Sequence, residues 1–519
     1  MKKFLITTPI YYPNWYPHIG HAYSSFIADF YARYKRMLGY QVKFSTGNDE
    51  NSQKILQKAQ EEWKDINKYL DEMAEKWKTV RGDLQISFTD FIRTTDPEHK
   101  ELVQEILNIT YKKWDIYEWE YKWYYCVGCE SFKKESDLTT EGLCPDHLTK
   151  PDILSEKNRF FKLKNYENKL KKFYKDNPDF VVPDYRFNEV KSFVNSGLED
   201  FSVSRETNKF WIPLPFDPKQ VTYVWYDALL NYVTISKKDG FWDDDVEIVH
   251  ILWKDISRFH AIFWPAMLMS ADLRTPNKEY ITGFFVVDGQ KMSKSLWNII
   301  DPVEMIRKYD RDAVIFNLLY DVPIGADGDF SESRMSNVYE SMLIGGWWNL
   351  VNRVTSLCKK YEITVGNLKA VKFQNFKWED ENGLLELFEH GFDGHKIEKK
   401  YLDKADLKWY LEDRYRLVQK ANEYITIAEP RAKYKNENTK QEAIADLQFL
   451  LYIVKNLALI SAPVLVNGFK KIQKIFGNDE LNKIDSGRNI VEENIFKEVF
   501  DMESFDVNLN PEIIYQKKE

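Results

Sequence analysis

Two histidines bracket a glycine in Pro17-His18-Ile19-Gly20-His21-Ala22, where an apolar strand pattern gives way to a helical one. A helix N-terminus offers free N–H groups and the positive end of the peptide dipole, and glycine lets a phosphate approach the backbone. Imidazoles placed there can donate hydrogen bonds to an α-phosphate as its charge rearranges. Far downstream, Lys291-Met292-Ser293-Lys294-Ser295 puts two ammonium groups on a short polar loop after another strand. They could reach β- and γ-phosphates and stabilise a departing pyrophosphate. Alone, either stretch could be incidental loop histidines or a solvated loop; the informative feature is the pair, in this order, each following a strand.

A third constellation suits a metal. Cys126-x-x-Cys129 is followed after 14 residues by Cys144-x-x-His147. Two knuckles of this spacing can close three thiolates and an imidazole into a tetrahedron around zinc with no position left for water, so the site reads as structural. Only four cysteines occur in the chain, and this clustering points to metal and away from a disulfide framework. Cys358 is left over and reads as a core thiol.

The elements that must position these groups follow from periodicity. Lys3 to Thr7 is apolar and β-branched, Ala22 to Leu38 has helical spacing and Gln41 to Thr46 alternates, a βαβ opening. Val246 to Leu252 reads as a second buried strand, Ser257 to Ser270 as an apolar helix and Tyr280 to Val287 as a further strand. One α/β nucleotide-binding parallel sheet split by an insertion explains both regions. The expected boundaries are 1–115 and 216–288 for the halves of that Rossmann-like domain, 116–215 for a connective insertion with the zinc knuckle, and 289–335 for the segment with the Lys291 loop. An α-helical bundle is expected over 336–470, where Leu407, Tyr410, Leu411, Val418, Ala421 and Ile425 keep helical spacing, with a tail over 471–519.

At 519 residues and 44% apolar composition the chain can fill two to four domains. The apolar run after Met1 stops at Thr7, too short for a signal, and the stretch Leu447 to Ala462 is broken by Gln448, Lys455 and Asn456. No membrane association is expected, and the expected compartment is the cytosol. The formal charge of −8 argues weakly against a nucleic-acid binder but does not report local patches.

Together the His18–His21 and Lys291–Ser295 stretches resemble the HIGH and KMSKS signatures of class I aminoacyl-tRNA synthetases. The resemblance narrows to the methionyl-tRNA synthetases through the one-zinc knuckle of many bacterial members and through Thr7-Thr8-Pro9-Ile10-Tyr11-Tyr12, Phe91-Ile92-Arg93-Thr94-Thr95-Asp96-Pro97-Glu98-His99 and Val224-Trp225-Tyr226-Asp227-Ala228. It runs from Phe4 to about Pro463. It implies a methionine–tRNA ligase: ATP and L-methionine give methionyl-adenylate and pyrophosphate, and methionine then passes to the 3′ end of tRNA(Met). The implied cofactors are one structural Zn2+ per chain, with Mg2+ accompanying ATP; a monomer is expected.

The same resemblance assigns roles. His18, Gly20, His21, Arg205, Asp255, Lys291 and Lys294 match ATP-site positions, with His18, His21, Lys291 and Lys294 the catalytic ones. Asp49 would take the methionine ammonium, and Ile10, Tyr12, Trp225, Ala228, Leu229, Tyr232, Phe259, His260 and Trp264 would enclose its side chain. Aromatic walls suit a soft thioether sulfur, though Phe259 and Trp264 also read as core packing. Asn349, Arg353 and Arg431 match anticodon-reading positions. At Pro430-Arg431 the family usually has Pro-Trp, and at Asn51-Ser52 often His-Gly; an arginine plane can stack on a base as an indole does.

Further departures share one direction. Trp253, Trp297, Trp211, Trp123 and Trp348 stand where the family has glycine, and Trp15, Trp63, Trp114 and Trp119 follow suit, nine of 16 tryptophans. A chain of this length carries roughly 36 glycines at average usage, against 21 here. Replacing the smallest side chain by the largest at so many sites has no packing rationale, so the expectation is a gene in which UGA is read as glycine. The alternative is a divergent, tryptophan-rich enzyme. Trp225 and Trp264 match family tryptophans.

Three other functions compete. Another class I synthetase, for example one for cysteine or for a branched aliphatic residue, is the near rival; those for aliphatics carry a much larger editing insertion than 116–215 allows. A small-molecule nucleotidylyltransferase has no use for the helical domain. A non-catalytic tRNA-binding relative is kept open by Arg431, Asn51, Ser52 and the tryptophans, and opposed by intact His18, His21, Lys291 and Lys294.

Overall fold

The computed structural model describes residues 2–126, 131–133, 135, 138–145, 148–206, 210–287, 289–292, 298–363 and 394–476. Its centre is a six-stranded, fully parallel sheet built from β1 (Lys3–Tyr11), β2 (Gln41–Asn48), β3 (Asp90–Arg93), β7 (Val181–Val182), β12 (Val246–Trp253) and β13 (Lys278–Thr282). The order is β3-β2-β1-β12-β13-β7. β1 and β12 are buried along nearly their whole length, as a parallel strand covered on both faces must be, which is why they read as continuous apolar runs.

The split expected from the sequence is real: β1 pairs on one side with β2 and on the other with β12, which arrives only after the long intervening segment. That segment forms its own antiparallel sheet, order β5-β4-β6-β8, from β4 (Ile116–Cys126), β5 (Ser131–Lys133), β6 (Asp152–Phe161) and β8 (Phe201–Ser202). It also lends β7 to the edge of the main sheet, a two-residue pairing with no periodicity to detect.

Two elements differ from their sequence readings. The single strand expected over Tyr280 to Val287 is two: β13 ends at Thr282, and β14 (Phe285–Val287) joins β15 (Gln290–Lys291) and β16 (Gly328–Phe330) in a separate sheet. The break is at Gly283, where a Cβ would lie 2.0 Å from the Ala326 carbonyl oxygen, so the crossing chain requires glycine. The helix expected over Ser257 to Ser270 starts as a π-helical turn, Phe259–Phe263, before the α-helix Trp264–Ser270.

The C-terminal region is helical, with Asn349–Lys360, Leu407–Ala428, Lys440–Ser461 and Val466–Phe476 as its main members. Lys440–Ser461 is long and apolar enough to cross a membrane, but its apolar side chains are buried inside the bundle. One continuous apolar core runs from Phe4 and Phe26 of the parallel-sheet domain to Leu450 and Phe476 of the bundle. At that junction Arg311 has no exposed surface and donates to the carbonyls of Leu84 (3.0 Å) and Val464 (3.2 Å) and to Asp29 Oδ2 (2.7 Å).

Candidate active site

The strand order reverses direction between β1 and β12, and such a switch point opens a crevice beyond the C-terminal strand ends where open α/β sheets bind ligands. The loop leaving β1 enters that crevice and starts helix α1 (Ile19–Met37), with His18 as its N-cap residue. The Gly20 N–H donates to His18 Nδ1 and the His18 N–H donates to His21 Nδ1, each at 3.1 Å. A ring nitrogen that accepts cannot carry the proton, so each neutral imidazole holds its hydrogen on Nε2. The cap therefore does two jobs: it satisfies helix-end N–H groups and sets two Nε2–H donors side by side, ring centroids 3.9 Å apart. A Cβ at residue 20 would lie 3.0 Å from His18 Cε1, tight enough to disturb this arrangement.

Burial pushes His18 down to about 4. Burial also pushes His21 well below its ordinary value, helped by the adjacent His18 and the Arg81 guanidinium. Both rings are thus neutral donors at neutral pH. A pH prediction follows: kcat/KM for ATP should show no step near the ordinary imidazole value and fall only as pH approaches about 4. An inflection between pH 6 and 7 that vanishes in a His18 variant would contradict it. The sign for stability agrees, since a base with a depressed folded pKa loses stability as pH falls from its unfolded value toward the folded one.

Around the histidines the structure adds residues that sequence reading passed over. The Tyr11 ring meets His21 edge-on at 4.9 Å and stacks on Trp77 at 5.3 Å. Arg81 lies over both rings and donates to Thr46 Oγ1 at 2.9 Å. Trp77 and Arg81 sit one turn apart on helix Ile66–Asp83, and no local signal connects them to a site assembled from β1 and α1.

A second group gathers beside this one. Trp225 stacks on Phe259 with centroids 3.8 Å apart and planes 4° from parallel. Tyr232 packs near Trp264 at 5.9 Å, and both are buried with Ala228 and Leu229. His260 Nδ1 lies 3.0 Å from the Ile256 carbonyl, which can only accept, so Nδ1 holds the proton and Nε2 accepts from the Tyr232 hydroxyl at 2.8 Å. Burial holds His260 down at about 4, so this ring too is neutral. Ile10 lies near the end of β1 and Tyr12 follows it, with Lys54 Nζ 5.2 Å above the Tyr12 ring. Asp49, just past β2, is buried; its N–H donates to the Tyr11 carbonyl (3.0 Å) and its carboxylate accepts from the Asn51 N–H (3.3 Å). Asn51, at a position where the resembled family often differs, donates its amide to Asp227 at 2.5 Å.

Beneath lies His250, missed in the sequence. It meets Thr7 Oγ1 at 2.8 Å and stacks on Tyr232 at 4.2 Å. Its register neighbour Glu279 is fully buried, and burial holds that carboxyl well above its ordinary value.

The remaining expected residues fall as follows. Arg205 is buried on β9 (Ser204–Arg205), its guanidinium 4.3 Å from the centre of the Tyr125 ring. Asp255 is exposed in the turn Lys254–Ile256 that leaves β12. Lys291 belongs to β15, and Lys294 lies outside the described residues. In the bundle Asn349 is exposed and its amide donates to Asn422 Oδ1 (3.2 Å); Arg353 donates to the Asn422 carbonyl (3.4 Å) and Thr426 Oγ1 (3.2 Å). Arg431 is exposed on the short helix Pro430–Lys433 that follows. Asn422 and Thr426 extend this polar face and were not foreseen.

Cys126 and Cys144 are buried and form no disulfide; Cys129 and His147 lie outside the described residues. Among the described residues, neither buried thiol joins an apolar core cluster, unlike Cys358. Among the described residues, no three His, Cys, Asp or Glu side chains group as a metal site.

Comparison with known proteins adds to this geometry. The profile of the family described as tRNA synthetases class I (M) matches residues 4–152 and 147–355. Methionine–tRNA ligase of Thermotoga maritima is 39% identical over 482 residues, 89% of this chain and 73% of that protein. Methionine–tRNA ligase of Caldanaerobacter subterraneus subsp. tengcongensis is 39% identical over 487 residues, 92% and 74% respectively. The structure of Mycobacterium tuberculosis methionyl-tRNA synthetase in complex with methionyl-adenylate superposes with a TM-score of 0.88 at 31% identity, covering 100% of both chains.

Proposed function

Since this chain belongs to the methionine-type class I tRNA synthetases, we propose that its switch-point crevice is where methionine is activated. The chain joins L-methionine to ATP as methionyl-adenylate with release of pyrophosphate, then transfers methionine to the 3′ end of tRNA(Met). The observation that carries the site assignment is the pair of neutral Nε2–H imidazoles at the start of α1.

The methionine carboxylate attacks the α-phosphate, and charge moves onto the departing pyrophosphate. His18 and His21 donate to α-phosphate oxygens. Their neutrality matters, because a neutral donor loses no proton to the phosphate and its bond strengthens as negative charge builds. Lys291 and Lys294 stabilise the pyrophosphate, with magnesium accompanying ATP. Asp49 holds the methionine ammonium, and the Trp225, Phe259, Tyr232, His260 and Trp264 surround encloses the thioether. The Tyr232 hydroxyl is committed to His260, so the wall facing the substrate is aromatic. Protein groups position and stabilise charge more than they transfer protons.

Methionine-dependent exchange of labelled pyrophosphate into ATP tests the reading directly. Exchange with methionine and none with cysteine or isoleucine is expected; no exchange in any form of the chain would favour a non-catalytic tRNA-binding relative.

The zinc reading rests on two buried thiols that join no apolar core cluster among the described residues, with Cys129 and His147 added from the sequence. Zinc would cross-link the knuckle and hold its short strands together. Metal analysis should return about one zinc per chain, and Cys126→Ser with Cys144→Ser should abolish it; undiminished zinc in that variant would refute the site.

The Asn349, Arg353 and Arg431 face is proposed to read the anticodon. Asn349→Ala with Arg353→Ala should lower kcat/KM for tRNA charging by about 10- to 100-fold, the worth of one to two lost base contacts, and leave exchange unchanged. Equal losses in both assays would instead indicate general damage to the fold.

A further inference from the structure

Several helices end in the same geometry, among them three that close on Gly39, Trp63 and Trp114. After α1, Gly39 has a φ of +78°, its N–H donates to the Arg36 carbonyl, and the Tyr40 N–H donates to Lys35. After helix Gln53–Glu61, Trp63 has a φ of +54°, with its N–H on Gln60 and the Lys64 N–H on Ala59. After helix Pro97–Lys112, Trp114 has a φ of +62°, with its N–H on Tyr111 and the Asp115 N–H on Thr110. This double bond pattern closes a helix through one left-handed residue, and glycine is the usual occupant because a Cβ is strained there.

At two other such turns the side chain makes a polar contact, and at a third, Glu362, it is polar and exposed. Gln85 donates its amide to Asn467, and Asp272 pairs with Lys113. The two indoles have nothing comparable: Trp63 is 96% exposed and Trp114 79%, with no side-chain hydrogen bond or ring contact among the described residues. The largest apolar side chain thus occupies two strained positions and gains no burial from either.

Trp253 raises a separate difficulty. It ends β12, on the far side of the switch point from α1, and its indole lies 5.3 Å from the His21 ring and 5.4 Å from Tyr11. It fills the crevice space beside the donors a nucleotide must reach.

We infer that residues 63, 114 and 253 are glycine in the protein its own cell makes, through codons read there as glycine and written here as tryptophan, and that the bare backbone at 253 admits the nucleotide to His21. The part concerning residue 253 rests on the proposed function; the part concerning 63 and 114 rests on backbone geometry alone.

Peptide mass spectrometry of the protein purified from its own cells, read beside the gene, is the first test. Glycine masses at the three positions over UGA codons are expected; tryptophan masses or UGG codons overturn the inference. The second test uses the full recombinant chain as written, W63G with W114G, and W253G. The pair should raise Tm by roughly a few degrees as left-handed strain is relieved. W253G should lower the KM for ATP by roughly tenfold, as the indole leaves the crevice. Glycine masses with an unchanged ATP KM would overturn the gating role while keeping the glycines. Glycine masses with no exchange in any variant would sink the activity reading and leave positions 63 and 114 standing.

Discussion

Replacing His18 by asparagine and His21 by glutamine together should lower methionine-dependent pyrophosphate exchange by at least about 10³-fold while leaving the fold intact. The size follows from losing two preorganised donors to a developing negative charge, each worth about 10²- to 10³-fold. The choice of residues isolates that loss. Asparagine is among the preferred N-cap residues and can accept the Gly20 N–H as His18 Nδ1 does. Glutamine at the third helical position can accept the His18 N–H as His21 Nδ1 does. Helix α1 keeps its start and the site loses only its two Nε2–H groups. Unchanged Tm with exchange lowered through kcat is expected; exchange within tenfold of the parent would mean that neither imidazole meets the phosphate.

The second large effect concerns stability. Arg311→Met should cost about 3–5 kcal/mol, because it strands the buried Asp29 carboxylate and two buried carbonyls that Arg311 now satisfies. Asp29 keeps Arg33 and the Ser87 N–H and hydroxyl, which places the cost toward the lower end. Burial works to raise the Asp29 carboxyl, but the Arg33 and Arg311 guanidiniums and the Ser87 hydrogen bonds outweigh it and hold it below its ordinary value. Such a group supplies stability above its unfolded pKa that is lost as pH falls through the folded one. Removing Arg311 raises the folded pKa, so acid unfolding of Arg311→Met should begin at higher pH. Denaturant melts of parent and variant across pH 3–7 measure both effects; a cost below about 1 kcal/mol would show the junction is not held this way.

The junction bears on function, since Asp29 lies on α1, the helix His18 opens, and Val464 borders the bundle that carries Asn349 and Arg353. A loosened junction should depress tRNA charging more than exchange, because charging needs both ends of the molecule at once.

By itself the sequence determined the local chemistry. The histidine pair reads as a helix start because capping is a matter of three adjacent residues. β1, β12 and Lys440–Ser461 announce themselves because burial on all sides leaves continuous apolar runs. The insertion is legible because strand signals stop and resume, and much of the residue-by-residue assignment came through resemblance. Only the tertiary structure decided what pairs with what. The break at Gly283 depends on the Ala326 backbone crossing close by, and the β7 edge on register with β13. The contacts of Arg81 and His250, and the junction at Arg311, join segments that are far apart in the chain. Periodicity carries information over one or two turns or a few strand residues. The proton on each imidazole, the strain under Trp63 and Trp114 and the indole beside His21 are set by partners that only the folded chain brings within reach.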